Sequence, residues 1–186
     1  GGGKKYADMR AADTFGFWCK KSVPIPGVQA NPRNRVPFGV DDAHFAIAAI
    51  SVPATNDDGV VFEATKSDDV RFSELSLAGG HPQASWVDAN NQTVQIVAPS
   101  ALAPGVPAVV ALTSAAGAQS LRVNGQSVAS AGATFAPSVL DSLLIGSGFV
   151  SYYPRAGFGG DVYAVVAGKG APTVAELQGL ERYLAA

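Results

Sequence analysis

The sequence has a single cysteine, Cys19, which excludes an internal disulfide and a cysteine-based zinc site. Charged residues make up only 15% of its 186 positions against 47% hydrophobic ones, enough for a large core and too apolar for a disordered chain. No run of 18 apolar residues occurs, so no membrane-spanning helix is expected. Gly1 to Lys5 leads into no apolar stretch, and a secretory signal is not expected in the chain as it stands. Leucine is scarce beside valine, at 11 against 22, while Gly reaches 21 and Pro 12. That balance favours short strands and many turns over a helical bundle.

The formal net charge of -2 hides an asymmetry. Residues 1–40 carry seven Lys and Arg against Asp8 and Asp13, and the remainder carries six basic and 13 acidic groups. A basic arm on an acidic body suits docking to an acidic neighbour, including another copy of the chain. It equally suits a solvated, weakly ordered terminus. Nucleic acid is not expected as a partner, because the basic residues are dispersed among prolines without a reader motif.

Residues 1–14 read as a lead segment and Phe15 to Cys19 as a short first strand. Pro24, Pro26, Pro32 and Pro37 then exclude a central strand from 22–40, which is expected to be an interaction arm. From Ala43 the pattern turns regular. Strands are expected at 43–52, 60–64, 70–77, 84–88, 93–98, 107–114, 120–123, 126–129, 142–147 and 160–167. Ala43 to Val52 is apolar save for His44 and Ser51, as in a strand covered on both faces. Gly79-Gly80 breaks the chain, and Asn124-Gly125 between apolar runs predicts a two-residue hairpin. Thr173 and Glu176 fit a capping box, and Val174, Leu177, Leu180 and Leu184 then give one apolar helical stripe.

The expected class is all-β: a two-sheet antiparallel sandwich with a short C-terminal α-helix and an irregular N-terminal arm. Two domain-level segments follow, the arm at 1–42 and the sandwich at 43–186.

The second half carries ordered features that resemble a known group. These are Ala108 to Thr113, Leu121-Arg122-Val123-Asn124-Gly125, Leu144-Ile145-Gly146-Ser147, Phe158-Gly159-Gly160-Asp161-Val162-Tyr163, and the capped helix through Glu176 and Leu177. Phe45 to Ile50 followed by Val60 to Phe62 resembles the early strands. Together, over residues 43–186, they resemble concanavalin-A-like jelly rolls of the laminin-G and pentraxin-like kind. The resemblance implies a jelly-roll sandwich that acts by adhesion or glycan binding. Similar domains recur in bacterial surface proteins and in phage capsid-decoration, head-fibre and tail proteins. A non-catalytic virion module is therefore the leading expectation, in a virion, extracellular or cell-surface setting. Its partners would be further copies or a capsid or tail protein, bound through residues 1–42, and a cell-surface glycan; no membrane partner is expected. The alternative is a monomeric carbohydrate-binding module, with or without calcium, and a polysaccharide-degrading enzyme comes third.

Hydrolysis needs paired carboxylates about 5 to 9 Å apart. Of the four Glu, two fall in the terminal helix, and neither Glu63 nor Glu74 has an acidic residue two or four positions away. No enzyme is expected on that ground. A Ser-His-Asp site lacks its G-x-S-x-G elbow, and His44 and His81 read as surface histidines. Calcium, the one cofactor considered, would fall to Asp57 and Asp58 or to Asp68 and Asp69 in loops, where Asp also suits turns. A glycan site wants an aromatic platform beside amides and carboxylates. His81, Trp86, Asp88, Asn90 and Asn91 form one candidate, and Tyr152, Tyr153 and Arg155 the other. The same aromatics also suit core or packing roles.

Overall fold

The computed structural model describes residues 42–53, 58–65, 72–115, 117–134, 142–146, 148–150, 153–154 and 157–185, together with 7–8 and 17–18. The strands are β1 (Ala7–Asp8), β2 (Phe17–Trp18), β3 (His44–Ser51), β4 (Gly59–Thr65), β5 (Phe72–Ala78), β6 (His81–Val87) and β7 (Thr93–Val97). They continue with β8 (Ala108–Ala115), β9 (Ala118–Val123), β10 (Gln126–Gly132), β11 (Ser142–Ile145), β12 (Phe149–Val150), β13 (Tyr153–Pro154) and β14 (Asp161–Lys169). One helix, α1 (Val174–Ala185), follows. It is too short to cross a membrane, and no other helix occurs among the described residues.

Two sheets of six strands carry the fold, in the orders β1-β14-β3-β8-β9-β10 and β2-β11-β4-β5-β6-β7. Every pairing between these strands is antiparallel, and the first long strand, β3, lies beside the last, β14. The expected two-sheet sandwich with its terminal helix is what forms. Within the segment expected as an irregular arm, β1 and β2 add a two-residue strand to one edge of each sheet.

The apolar run of β3 has a simple cause. Ala46, Ala48 and Ile50 face the second sheet and meet Phe62, Leu75, Ala84 and Trp86 in the main core. Ile47 and Ala49 face outward beneath α1, where they pack with Val109, Ala111 and Leu177, flanked by Phe45, Leu180 and Leu184. The helix is thus a lid on the outer face of the first sheet, and its Leu stripe is what β3 requires.

The turns follow their chemistry. Asn124 and Gly125 both have positive φ, 48° and 83°, as a two-residue hairpin between right-twisted strands demands. Gly79 and Gly80, at 57° and 77°, make a second such hairpin, and β6 therefore starts at His81, three residues before the expected Ala84. At Gly160 the backbone of Ser51 runs so close that a Cβ would sit 2.1 Å from its carbonyl oxygen, so only glycine fits. At the start of α1, Glu176 N–H donates to Thr173 Oγ1 at 3.3 Å, and Thr173 N–H donates to Glu176 Oε2 at 2.7 Å. Those bonds from Thr173 hold the Glu176 carboxyl below its ordinary pKa.

Candidate binding site

The first expected cluster does not assemble. Trp86 is fully buried between the sheets, where a ring has no face left for a sugar. Its place in the core follows from alternation on β6, which turns Ala84 and Trp86 inward together. His81 and Val87 end the same strand roughly 20 Å apart, at about 3.3 Å per residue. His81 Nδ1 donates to the Ala98 carbonyl at 2.9 Å at one end. At the other end Asp88 Oδ1 accepts the N–H groups of Asn90 and Gln92, both at 2.8 Å, and Asn91 adopts positive φ. Asp88, Asn90 and Asn91 thus serve a turn.

In the second cluster the backbone of Tyr153 lies in β13, paired with Val150, while Tyr152 and Arg155 lie outside the described residues. Of the four candidate calcium ligands, Asp57, Asp68 and Asp69 lie outside them as well. Asp58 caps the β5–β6 hairpin by accepting the Gly79 N–H. No group of three acidic, His or Cys side chains suited to a metal occurs among the described residues.

His44 does not lie at the surface as expected. It is fully buried rather than superficial, because it shares the inward face of β3 with Ala46 and Ala48. Its Nδ1 donates to the Asp42 carbonyl at 2.8 Å, which leaves Nε2 to accept from Ser73 Oγ at 2.8 Å. Gln119 Nε2 reaches the same hydroxyl at 3.4 Å. Burial holds the imidazole below its ordinary pKa, so it stays neutral. The pair resembles two members of a hydrolytic triad, but the Asp42 carboxylate is bound by Lys169 at 2.9 Å. It is a satisfied polar plug in the core.

Strand register also brings two carboxylates together. Linear spacing kept Glu63 and Glu74 apart, yet the β4–β5 register sets them directly opposite one another on the outer face of the second sheet. Ser85 continues that row on β6 and Gln95 on β7. Nearby on the same face Gln83 Nε2 donates to Ser76 Oγ at 2.9 Å. Both glutamates are completely buried.

An accessible concavity lies elsewhere, around the tip of the β9–β10 hairpin. A cavity of about 420 Å³ separates that tip from α1, with Pro107 and Val109 among its apolar lining. Its polar lining is Asn124, Gln126, Gln178, Glu181 and Arg182. Pro107 and Asn124 also line an adjoining depression of about 220 Å³ formed with Pro99 to Ala103. The larger of these two forms a groove between the hairpin and α1. Two ties position its walls. Asn124 Oδ1 accepts the Val109 N–H at 2.8 Å, which leaves its Nδ2 protons to donate. Arg122 grips Glu181 through Nε–Oε1 at 2.8 Å and Nη2–Oε2 at 3.1 Å, and its Nη2 also donates to the Gly125 carbonyl at 2.5 Å. This ion pair holds the Arg122 guanidinium above its ordinary pKa. The groove therefore offers amide donors and acceptors and the Arg182 cation over an apolar floor. The hairpin was legible in the sequence; that α1 returns beside it was not.

No protein-family model and no curated protein sequence matches the chain. Solved structures do. The CBM40 module of a Ruminococcus gnavus IT-sialidase, bound to α2,3-sialyllactose, matches with a TM-score of 0.62 at 16% identity over 75% of this chain and 83% of that one. The NanB sialidase of Streptococcus pneumoniae matches at TM-score 0.65 and 15% identity over 74% of this chain, which spans 23% of that enzyme. Mouse laminin α1 domains LG4-5 match at TM-score 0.55 and 16% identity, over 69% of this chain and 36% of that one. What the chain shares with them is the fold, a two-sheet jelly roll of the concanavalin-A-like, laminin-G-like kind.

Proposed function

We propose that this chain is a non-catalytic carbohydrate-binding module that takes an acidic glycan in the groove beside the β9–β10 hairpin. The observation that carries the reading is the groove's lining: the amides of Asn124, Gln126 and Gln178 with the Arg182 guanidinium over Pro107 and Val109. Amides pair with sugar hydroxyls as donor and acceptor at once, the apolar floor takes a sugar's C–H face, and a guanidinium matches a carboxylate bidentately. A volume of about 420 Å³ lies in the ordinary range for small-ligand sites. The fold is shared with a module bound to sialyllactose, which supports a sialylated glycan as the first ligand to test. That support favours the carbohydrate-binding reading over assembly into a virion, and it implies an extracellular or cell-surface setting. Sialyllactose should bind and lactose should bind more weakly, with Arg182→Gln removing the difference between them. Equal affinity for both sugars, or none for either, would overturn the acidic-glycan assignment.

Hydrolysis is the second reading, favoured by the facing Glu63 and Glu74. Their complete burial leaves no room for a substrate between them and places this reading behind the first. Release of reducing sugar from a polysaccharide panel, abolished by Glu63→Gln, would reverse the order.

A further inference from the structure

Between Asp88 and Asp141 the sequence holds one charged residue in 52, Arg122, while the other 27 of the chain's 28 charged residues lie elsewhere. The described parts of this stretch, 89–115 and 117–134, supply β7 to β10. Of these, β7 and β10 are the terminal strands of the two sheets and lie beside each other. Arg122 adds no free charge there, being buried against Glu181.

The backbone of β7 is open on its outer side. Asp88 N–H donates to Gln92 O at 2.9 Å and Ala98 N–H to Pro82 O at 2.8 Å, in register with the Trp86–Val94 and Ala84–Ile96 pairs between them. Antiparallel bonding alternates, so the N–H and C=O groups of Thr93, Gln95 and Val97 point away from β6. No hydrogen bond to these three on that side occurs among the described residues. Their side chains are exposed, Val97 to 46%. Natural edge strands are protected by charge, proline or a bulge. β10 has a register shift between Ser127 and Ala129, whereas β7 (Thr-Val-Gln-Ile-Val) has none of these devices.

We propose that β7 is the interface with a second copy of this chain, joining the two second sheets edge to edge about a twofold axis at Gln95. The strand is self-complementary in that register. Thr93 meets Val97 of the second copy, Gln95 meets its own counterpart, and the three outward-facing pairs supply about six backbone hydrogen bonds. Each exposed Val97 then packs beside a Thr93. Electrostatics select a second copy over a charged partner. Residues 41–186 hold 13 acidic groups against six basic ones, so two bodies approach with less repulsion through an edge strand that itself carries no charge. Thr93, Gln95 and Val97 line no part of the glycan groove, and the interface stands without it.

Light scattering on the purified chain should give twice its 18.9 kDa mass. Gln95→Lys sets like charges against each other at the axis, and Gln95→Pro removes an N–H that the parent sheet does not use. Both variants should halve the mass while keeping the far-ultraviolet circular dichroism of the parent. Ser130→Lys, on the other edge strand, should remain dimeric. A monomeric parent, a Gln95→Lys variant that stays dimeric, or dissociation caused by Ser130→Lys instead would each overturn the proposal.

Discussion

Arg122 on β9 and Glu181 on α1 are joined by two parallel hydrogen bonds, and both side chains are more than nine-tenths buried. This pair fixes where the helix lies on the first sheet. Glu181 also lines the groove, as does Gly125, whose carbonyl accepts a further bond from the same guanidinium. Removing one partner leaves the other charge buried and alone, which costs about 3–5 kcal/mol. Glu181→Ala should therefore lower the unfolding free energy by that amount in a denaturant titration. The double change Arg122→Met with Glu181→Leu should cost far less, because no charge is then stranded. Equal losses in the single and double variants would show that the pair acts only through packing.

His44 predicts an acid limb of stability. Burial lowers its pKa in the folded state, so below the ordinary imidazole range the unfolded chain binds the proton more readily. Stability from this group is complete above about pH 6.5 and falls as the pH drops from there toward the depressed folded value. The urea midpoint should decline across that window. In His44→Gln this part of the decline should vanish while the carboxylate-driven loss at lower pH remains. A parent midpoint flat from pH 7 down to 5 would contradict the neutral buried assignment.

The capping box gives a smaller, local prediction. Thr173→Ala removes the Oγ1 that accepts the Glu176 N–H and should cost about 1 kcal/mol. Glu176→Gln should cost less, since the amide oxygen still accepts the Thr173 N–H. Thermal unfolding of both variants checks the order.

Gly160 tests the close approach of two chain segments. A Cβ at this position would meet the Ser51 carbonyl oxygen at 2.1 Å and the Phe158 ring at 2.6 Å. Gly160→Ala should therefore destabilise by about 1–3 kcal/mol, as overpacking does. A neutral effect in denaturant would mean that the Ser51 and Phe158 contacts relax without cost.

The sequence made some features legible and left others hidden, for physical reasons. Periodicity and turn chemistry are local, so the strands, the Asn124-Gly125 hairpin and the capped helix could be read from neighbours in the chain. The burial of Trp86 and His44 depends on which face of a strand meets the other sheet, and an isolated aromatic or imidazole does not reveal that. Glu63 and Glu74 are 11 residues apart and become neighbours only through register. The groove is hidden for the same reason: its walls come from residues near 124 and near 180, which meet because α1 folds back over the first sheet.

The groove between the β9–β10 hairpin and α1 is proposed to hold an acidic glycan. The most direct measurement is a titration of the isotope-labelled chain with sialyllactose, followed by amide chemical shifts. Saturable shifts are expected to concentrate at Asn124 to Gln126 and Gln178 to Arg182, and to be weaker with lactose. Shifts concentrated instead on the outer face of the second sheet, around Glu63, Glu74 and Ser85, or no shifts at all, would contradict it.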